Sequence, residues 1–133
     1  MILLDTHAFV WLARDDSKLG KKARSKIESE RSTGEVALSA VTYLEIGTLV
    51  DRGRLRMTEP LKTLRVRTLE AGIKEVVVDA PIAMLASQLR GFHGDSVDRI
   101  LVATAMEHNA VLLTADEALL GWTSGLRSLD ARR

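Results

Sequence analysis

Short apolar runs alternate with stretches of helical periodicity along nearly the whole chain. Ile2-Leu3-Leu4 is wholly apolar and closes on Asp5-Thr6, after which Ala8, Val10, Trp11, Leu12 and Ala13 follow a helical pattern. This predicts a strand and then a helix. Lys21 to Glu30 reads as a charged amphipathic helix with Ala23 and Ile27 facing in, stopped at Ser32-Thr33-Gly34. Val36-Ala37-Leu38 predicts a second strand, and Ser39 caps a helix carrying Val41, Leu44, Ile46, Leu49 and Val50 that ends at Asp51-Arg52-Gly53. Pro60 opens a helix through Leu61, Leu64, Val66 and Leu69, closed by Ala71-Gly72. Glu75-Val76-Val77-Val78 predicts a third strand, and Asp79-Ala80-Pro81 starts a helix through Leu89. After the loop Gly91-Phe92-His93-Gly94, a polar opening runs into a continuous apolar helix pattern through Ala105. Val111-Leu112-Leu113 predicts a fourth strand, Thr114-Ala115-Asp116 begins a short helix, and the stretch from Trp122 to Arg133 is too irregular to assign.

Short apolar strands alternating with helices predict an α/β fold in which a parallel sheet is covered on both faces. Ligands in such folds sit outside the carboxyl ends of the strands. Asp5, Ser39, Asp79 and Asp116 each follow a predicted strand, so polar and acidic residues collect at that edge. Asp79 reads best as the cap of its own helix. Asp5 and Asp116 can also cap the helices that follow them.

Two further carboxylates lie where an apolar face is expected. Asp98 shares its helix face with Leu101, Val102 and Ala105, and Glu45 shares its face with Val41 and Leu49. An unpaired buried charge is costly and demands a partner. For Asp98 one partner is close at hand, because Asp95 and Asp98 have the spacing of a capping box. Capping does not account for Glu45, nor for four acids at once. Converging without counter-charge, Asp5, Glu45, Asp98 and Asp116 would repel one another.

Composition narrows the choice of counter-charge. There is no cysteine, and His7, His93 and His108 are scattered, so a metal would meet an all-oxygen ligand set, which suits Mg²⁺ or Mn²⁺ over Zn²⁺. Carboxylate-held Mg²⁺ serves phosphate chemistry, and the absence of a Walker-type glycine-rich loop favours a phosphodiester over a nucleoside triphosphate. At 133 residues a single domain is expected. The net charge of +1 leaves any polyanion to local patches such as Lys18, Lys21, Lys22, Arg24 and Lys26, or Arg52, Arg54 and Arg56, both of which also read as solvated faces. Only 4% of residues are aromatic, which argues against single-strand binding by base stacking. The opening residues lack a basic leader and no apolar run has the length of a bilayer span, so the expectation is a cytoplasmic protein without a membrane partner.

Five segments in order carry a resemblance: Leu3-Leu4-Asp5-Thr6-His7, Ser39-Ala40-Val41 leading to Glu45-Ile46, Gly53-Arg54-Leu55, His93 through Ala103, and Leu113-Thr114-Ala115-Asp116. Together they resemble the PIN-domain family, and within it the VapC toxins of bacterial and archaeal toxin–antitoxin pairs. The match departs from the commonest pattern at Ser96-Val97, where Pro and an aromatic are frequent. The resemblance implies one PIN domain over residues 1–133, three layers α/β/α, with four to five short parallel strands at the centre. It implies a Mg²⁺- or Mn²⁺-dependent endoribonuclease in which Asp5, Glu45, Asp98 and Asp116 occupy the acidic positions. Asp95, Thr6, Ser39 and Thr114 would then orient carboxylates or water, and Arg99 would pair with an acid or a phosphate. A VapB-type antitoxin and a homodimer are implied as well, with Trp11 and Leu12 as candidates for the apolar groove the antitoxin would fill, although each reads more simply as ordinary core. Two other readings fit an acidic α/β pocket: a phosphatase or phosphoacceptor with Asp5 as nucleophile, and a non-catalytic protein-binding module. The first lacks a second acid two residues after Asp5, where His7 stands, and the second leaves the acid set unexplained.

Overall fold

The computed structural model describes residues 1–122 and 124–133. Five strands, β1 (Ile2–Leu4), β2 (Val36–Ser39), β3 (Lys74–Val76), β4 (Val111–Thr114) and β5 (Arg127–Asp130), form one sheet in the order β3-β2-β1-β4-β5. Every pairing is parallel, and β1 aligns Ile2 with both Val36 and Val111. Seven helices complete the described residues: α1 (Thr6–Ala13), α2 (Lys21–Arg31), α3 (Val41–Asp51), α4 (Leu61–Glu70), α5 (Ala80–Ser87), α6 (Ser96–Glu107) and α7 (Glu117–Gly121).

The central strands are apolar throughout because both of their faces are covered, and successive side chains part to opposite sides. Ile2, Leu4, Val36, Leu38 and Leu113 join Phe9, Leu19, Ala23, Ile27 and Leu64 in one core. Leu3, Ala37 and Leu112 join Leu101, Val102, Ala105 and Leu119 in the other. Helices α1, α2 and α4 thus cover one face and α6 and α7 the other, with α5 packed on α6 through Ile82, Ala86 and Ala103. Each fully buried aliphatic contributes about 1.5–3 kcal/mol. The three-layer α/β/α arrangement is the expected one.

The sheet edges differ from the sequence reading. β3 is Lys74–Val76 rather than 75–78, because its only neighbour, β2, ends where Ser39 pairs with Val76. Val77 and Val78 run on without a ladder and are exposed. β5 lies in the stretch that the sequence pattern leaves unassigned. It pairs only with β4, its residues alternate between exposed and half-buried, and Arg127-Ser128-Leu129-Asp130 has no apolar run to betray it. Beyond β5 the chain folds over the start of α2, where Gly20 N–H donates to the Ala131 carbonyl at 2.9 Å and Lys22 N–H to the Arg133 carbonyl at 2.8 Å.

With β1 at the centre, the chain order reverses between β1 and β4. In doubly wound sheets the crevice outside the strand ends at such a reversal is where ligands bind. Asp5 leaves β1 at that point, and Asp116 lies two residues beyond the end of β4.

Candidate active site

Asp5 is the most enclosed acid, 6% exposed, and both of its oxygens are engaged. Ala8 N–H donates to Oδ1 at 2.9 Å, which makes Asp5 the N-cap of α1, and the Thr114 hydroxyl donates to Oδ2. Parallel pairing of β1 with β4 places Thr114 there, extended by the Asp5 N–H to Leu113 carbonyl bond of 3.0 Å. Burial drives the Asp5 carboxyl above its ordinary pKa against these two donors, with the Glu45 charge adding to the rise.

The other acids are also caps. Asp116 takes the Ala118 N–H at 2.8 Å and starts α7. Asp95 Oδ1 takes the Asp98 N–H at 2.9 Å while Asp98 Oδ2 faces the Asp95 N–H at 3.4 Å, the reciprocal capping box anticipated for α6. Capping and site formation prove compatible, because a carboxylate has two oxygens and a helix start needs one. Asp5, Glu45, Asp95, Asp98 and Asp116 all line a single cleft of about 810 Å³. Burial raises the Asp98 carboxyl to about 7, assisted by the Asp95, Asp116 and Glu45 charges and opposed by the Asp95 N–H.

The expected supporting residues divide. Thr6, which lines the cleft, is 1% exposed, and its hydroxyl has no hydrogen-bond partner among the described residues. Ser39 is fully buried and is not among the residues that line the cleft, and its Oγ accepts the Val41 N–H at 3.2 Å. The helix predicted to start at Ser39 begins at Val41, and Ser39 remains the last residue of β2. Arg99 corrects the expectation of an acid or phosphate partner. Its guanidinium donates to the carbonyls of Ala86, Phe92 and Leu89 at 2.9, 3.0 and 3.0 Å and lies 5.8 Å from the centre of the Phe92 ring. Arg99 therefore ties the α5–α6 loop to the helix that carries Asp98.

Trp11, Arg52 and Arg54, which sequence reasoning singles out only as an antitoxin groove or a patch for a polyanion, line the same cleft, as do Leu44, Thr48 and Leu49, which it does not place at the site. Leu44, predicted on the apolar face of its helix, is 65% exposed, whereas Ile46 takes the buried position. Spacing along α3 is the available signal, since Glu45, Thr48, Leu49 and Arg52 recur at three- and four-residue intervals.

In donor type the cleft fits a hard divalent cation, since its ionisable wall is rich in carboxylates whose charges already oppose one another. Among the described residues, no three Asp, Glu or His side chains converge as a ready-made metal shell. Mg²⁺ does not require one, because it keeps several waters and is commonly held by one or two direct carboxylates.

The profile of the PIN domain matches residues 2–120. The chain belongs to the PIN-domain family. This PIN domain is 30% identical over 122 residues to Ribonuclease VapC22 of Mycobacterium tuberculosis, covering 89% of this chain and 88% of that one. Its fold is similar to VapBC2 from Rickettsia felis bound to a promoter DNA fragment, with a TM-score of 0.72, 15% identity, and 97% and 98% of the two chains covered. It is similar also to DNA-bound VapBC from Salmonella typhimurium, with a TM-score of 0.70, 18% identity, and 97% and 96% covered. Within the family the chain is of the VapC type.

Proposed function

We propose that this PIN domain is a Mg²⁺- or Mn²⁺-dependent endoribonuclease toxin, with the whole chain acting as one domain. One observation carries the reading: five carboxylates from four separate segments of the chain line one cleft at the sheet's reversal point. Asp5, Asp98 and Asp116 would hold the ion, and Glu45 would bind it directly or through the attacking water. A bound divalent ion lowers the pKa of water and stabilises charge on a transferring phosphoryl group.

The remaining residues fix geometry. Thr114 and the Ala8 N–H hold the Asp5 carboxylate in one orientation, so no side-chain freedom is lost when it engages a ligand. Asp95 does the same for the start of α6, and Arg99 does it for the loop that leads there. Thr6 supplies a buried hydroxyl at the cleft wall for a bound water or phosphate oxygen.

Relatives whose names or structures pair toxin with antitoxin support a VapB-type antitoxin as the protein partner of this chain, in a homodimeric or larger assembly. No helix of the described residues is long and apolar enough to cross a membrane. The proposed place of action is the cytoplasm, where the RNA substrate is found.

The test is incubation of total cellular RNA with purified, antitoxin-free protein in Mg²⁺, Mn²⁺ or EDTA, beside Asp98→Asn. Discrete fragments that require metal and vanish in the variant are expected. Full activity in EDTA, or in Asp98→Asn, contradicts the reading.

A further inference from the structure

The cleft is chemically mixed. Its lining also includes Trp11 from α1, Leu44 and Leu49 from α3, and Arg52 and Arg54 just after α3. From the structure we infer that Trp11, Arg52 and Arg54 form a positioning subsite for single-stranded RNA, the two guanidiniums taking a phosphate beside the scissile one and the indole supporting the adjoining base. This inference rests on the ribonuclease reading and names how that substrate is held.

Charge is the first argument. Arg24, Arg31, Arg65, Arg67 and Arg132 all pair with carboxylates of this chain. Arg52 and Arg54 have no ion pair or side-chain hydrogen bond among the described residues, although they share a cleft with five acids. They are not consumed in neutralising those acids. With a net charge of only +1, the molecule has no global field to draw in a polyanion that the carboxylates repel. Two such exposed arginines lining the cleft supply that attraction locally.

Placement is the second. Glu45 and Arg52 lie on one stripe of α3 and its cap, about 10 Å apart at 1.5 Å per residue. A strand whose phosphate sits at the acids can therefore present a neighbouring phosphate to Arg52. The backbone behind the arginines is fixed as well. Gly53 has φ of 70°, its N–H bonds to the Val50 carbonyl at 3.0 Å, and the Arg54 N–H bonds back to the Leu49 carbonyl at 2.8 Å. That closure turns Arg54 back toward the helix instead of leaving it on an open loop.

Trp11 is the third. It is half-buried at the cleft wall and packed against the core that α1 helps to form, and among the described residues it is the only aromatic that lines the cleft apart from the His7 imidazole. One indole suffices for a single base, because stacking accepts any base. An acidic peptide in the same place would satisfy the arginines but bring further carboxylates against five already present, so the observations favour RNA.

Steady-state cleavage of a short single-stranded oligoribonucleotide tests this, comparing the unmodified protein with Arg52→Ala, Arg54→Ala, Trp11→Ala and Trp11→Phe, each verified as folded by its thermal transition. The arginine variants should raise KM about tenfold, more than they lower kcat, and flatten its salt dependence by about 0.7 in log–log slope for each phosphate left without its arginine. Trp11→Phe should recover most of the affinity that Trp11→Ala forfeits. Fluorescence anisotropy with the same oligoribonucleotide in EDTA, run on the same proteins, separates the two claims. If the unmodified protein binds the oligoribonucleotide but cleaves nothing when metal is supplied, the ribonuclease reading falls. If it cleaves while the variants keep its KM and salt slope, or lose only binding of an acidic peptide, the subsite falls alone.

Discussion

Thr114 bridges Asp5 and Asp116: its hydroxyl donates to Asp5 Oδ2, and its oxygen accepts the Asp116 N–H at 3.1 Å. One fully buried side chain therefore sets the spacing between the acid at the end of β1 and the acid after β4. Thr114→Val keeps the shape and removes both bonds, leaving a buried carboxylate oxygen without its donor. The expected cost is about 1–3 kcal/mol in denaturant unfolding, with cleavage falling at least tenfold. Thr114→Ser should retain most of both.

Asp98 makes the metal-free protein sensitive to pH. Its folded carboxyl titrates at about 7 against an ordinary 3.8, so between these values the folded state binds more protons than the unfolded chain. The stability this group contributes is fully present below about pH 4 and is lost as pH rises through about 7. In EDTA the melting temperature should fall across that window, and Asp98→Asn should flatten the fall. Mg²⁺ should restore stability at pH 8 in the unmodified protein and less so in the variant. A melting profile in EDTA that Asp98→Asn leaves unchanged would show that the carboxyl is not strained.

Two glycines give contrasting outcomes. A Cβ on Gly94 would stand 2.5 Å from Phe92 Cζ and 2.7 Å from Asp98 Cβ. Phe92 cannot easily yield, since it is buried edge-on against Trp122 with ring centres 5.4 Å apart and lies beneath Arg99. Gly94→Ala should therefore displace Asp98, costing about 1–3 kcal/mol and most of the cleavage activity. A Cβ on Gly20 would stand 2.1 Å from the Arg133 carbonyl carbon, remote from the cleft. Gly20→Ala should lower stability as much while leaving kcat of the folded fraction intact. Unfolding curves and kcat measured on both variants separate the two effects.

Much of this architecture can be read from residue patterns, for identifiable reasons. β1, β2 and β4 are buried on both faces and so appear as unbroken apolar runs, whereas β5, an edge strand paired on one side, is written in Arg127, Ser128 and Asp130. Val77 and Val78 have strand-like side chains but no neighbouring ladder, a fact that depends on where β2 stops. At the site, Asp5, Asp95, Asp98 and Asp116 can be picked out because helix starts attract carboxylates and strand ends gather ligands. Arg99 cannot be placed correctly that way: its partners are main-chain carbonyls, which any residue supplies, so nothing in the neighbouring side chains announces them.

Arg99 should accordingly behave as a support. Arg99→Lys replaces a planar fork reaching three carbonyls with a single ammonium, and should lower unfolding stability by about 1.5–3 kcal/mol. The loss of activity should follow the loss of folded protein, with the salt dependence of KM unchanged. A selective rise in KM with stability retained would instead place Arg99 on the substrate.

Whether the acids of this cleft act together as one cation site is read most directly by Mn²⁺ titration calorimetry of the antitoxin-free protein at pH 8, repeated on Asp5→Asn, Glu45→Gln, Asp98→Asn and Asp116→Asn. A saturable Mn²⁺ site should weaken at least tenfold in Asp5→Asn and Asp98→Asn and to a lesser degree in the other two. Undiminished Mn²⁺ affinity in both Asp5→Asn and Asp98→Asn, with the proteins folded, would contradict a shared metal centre at this cleft.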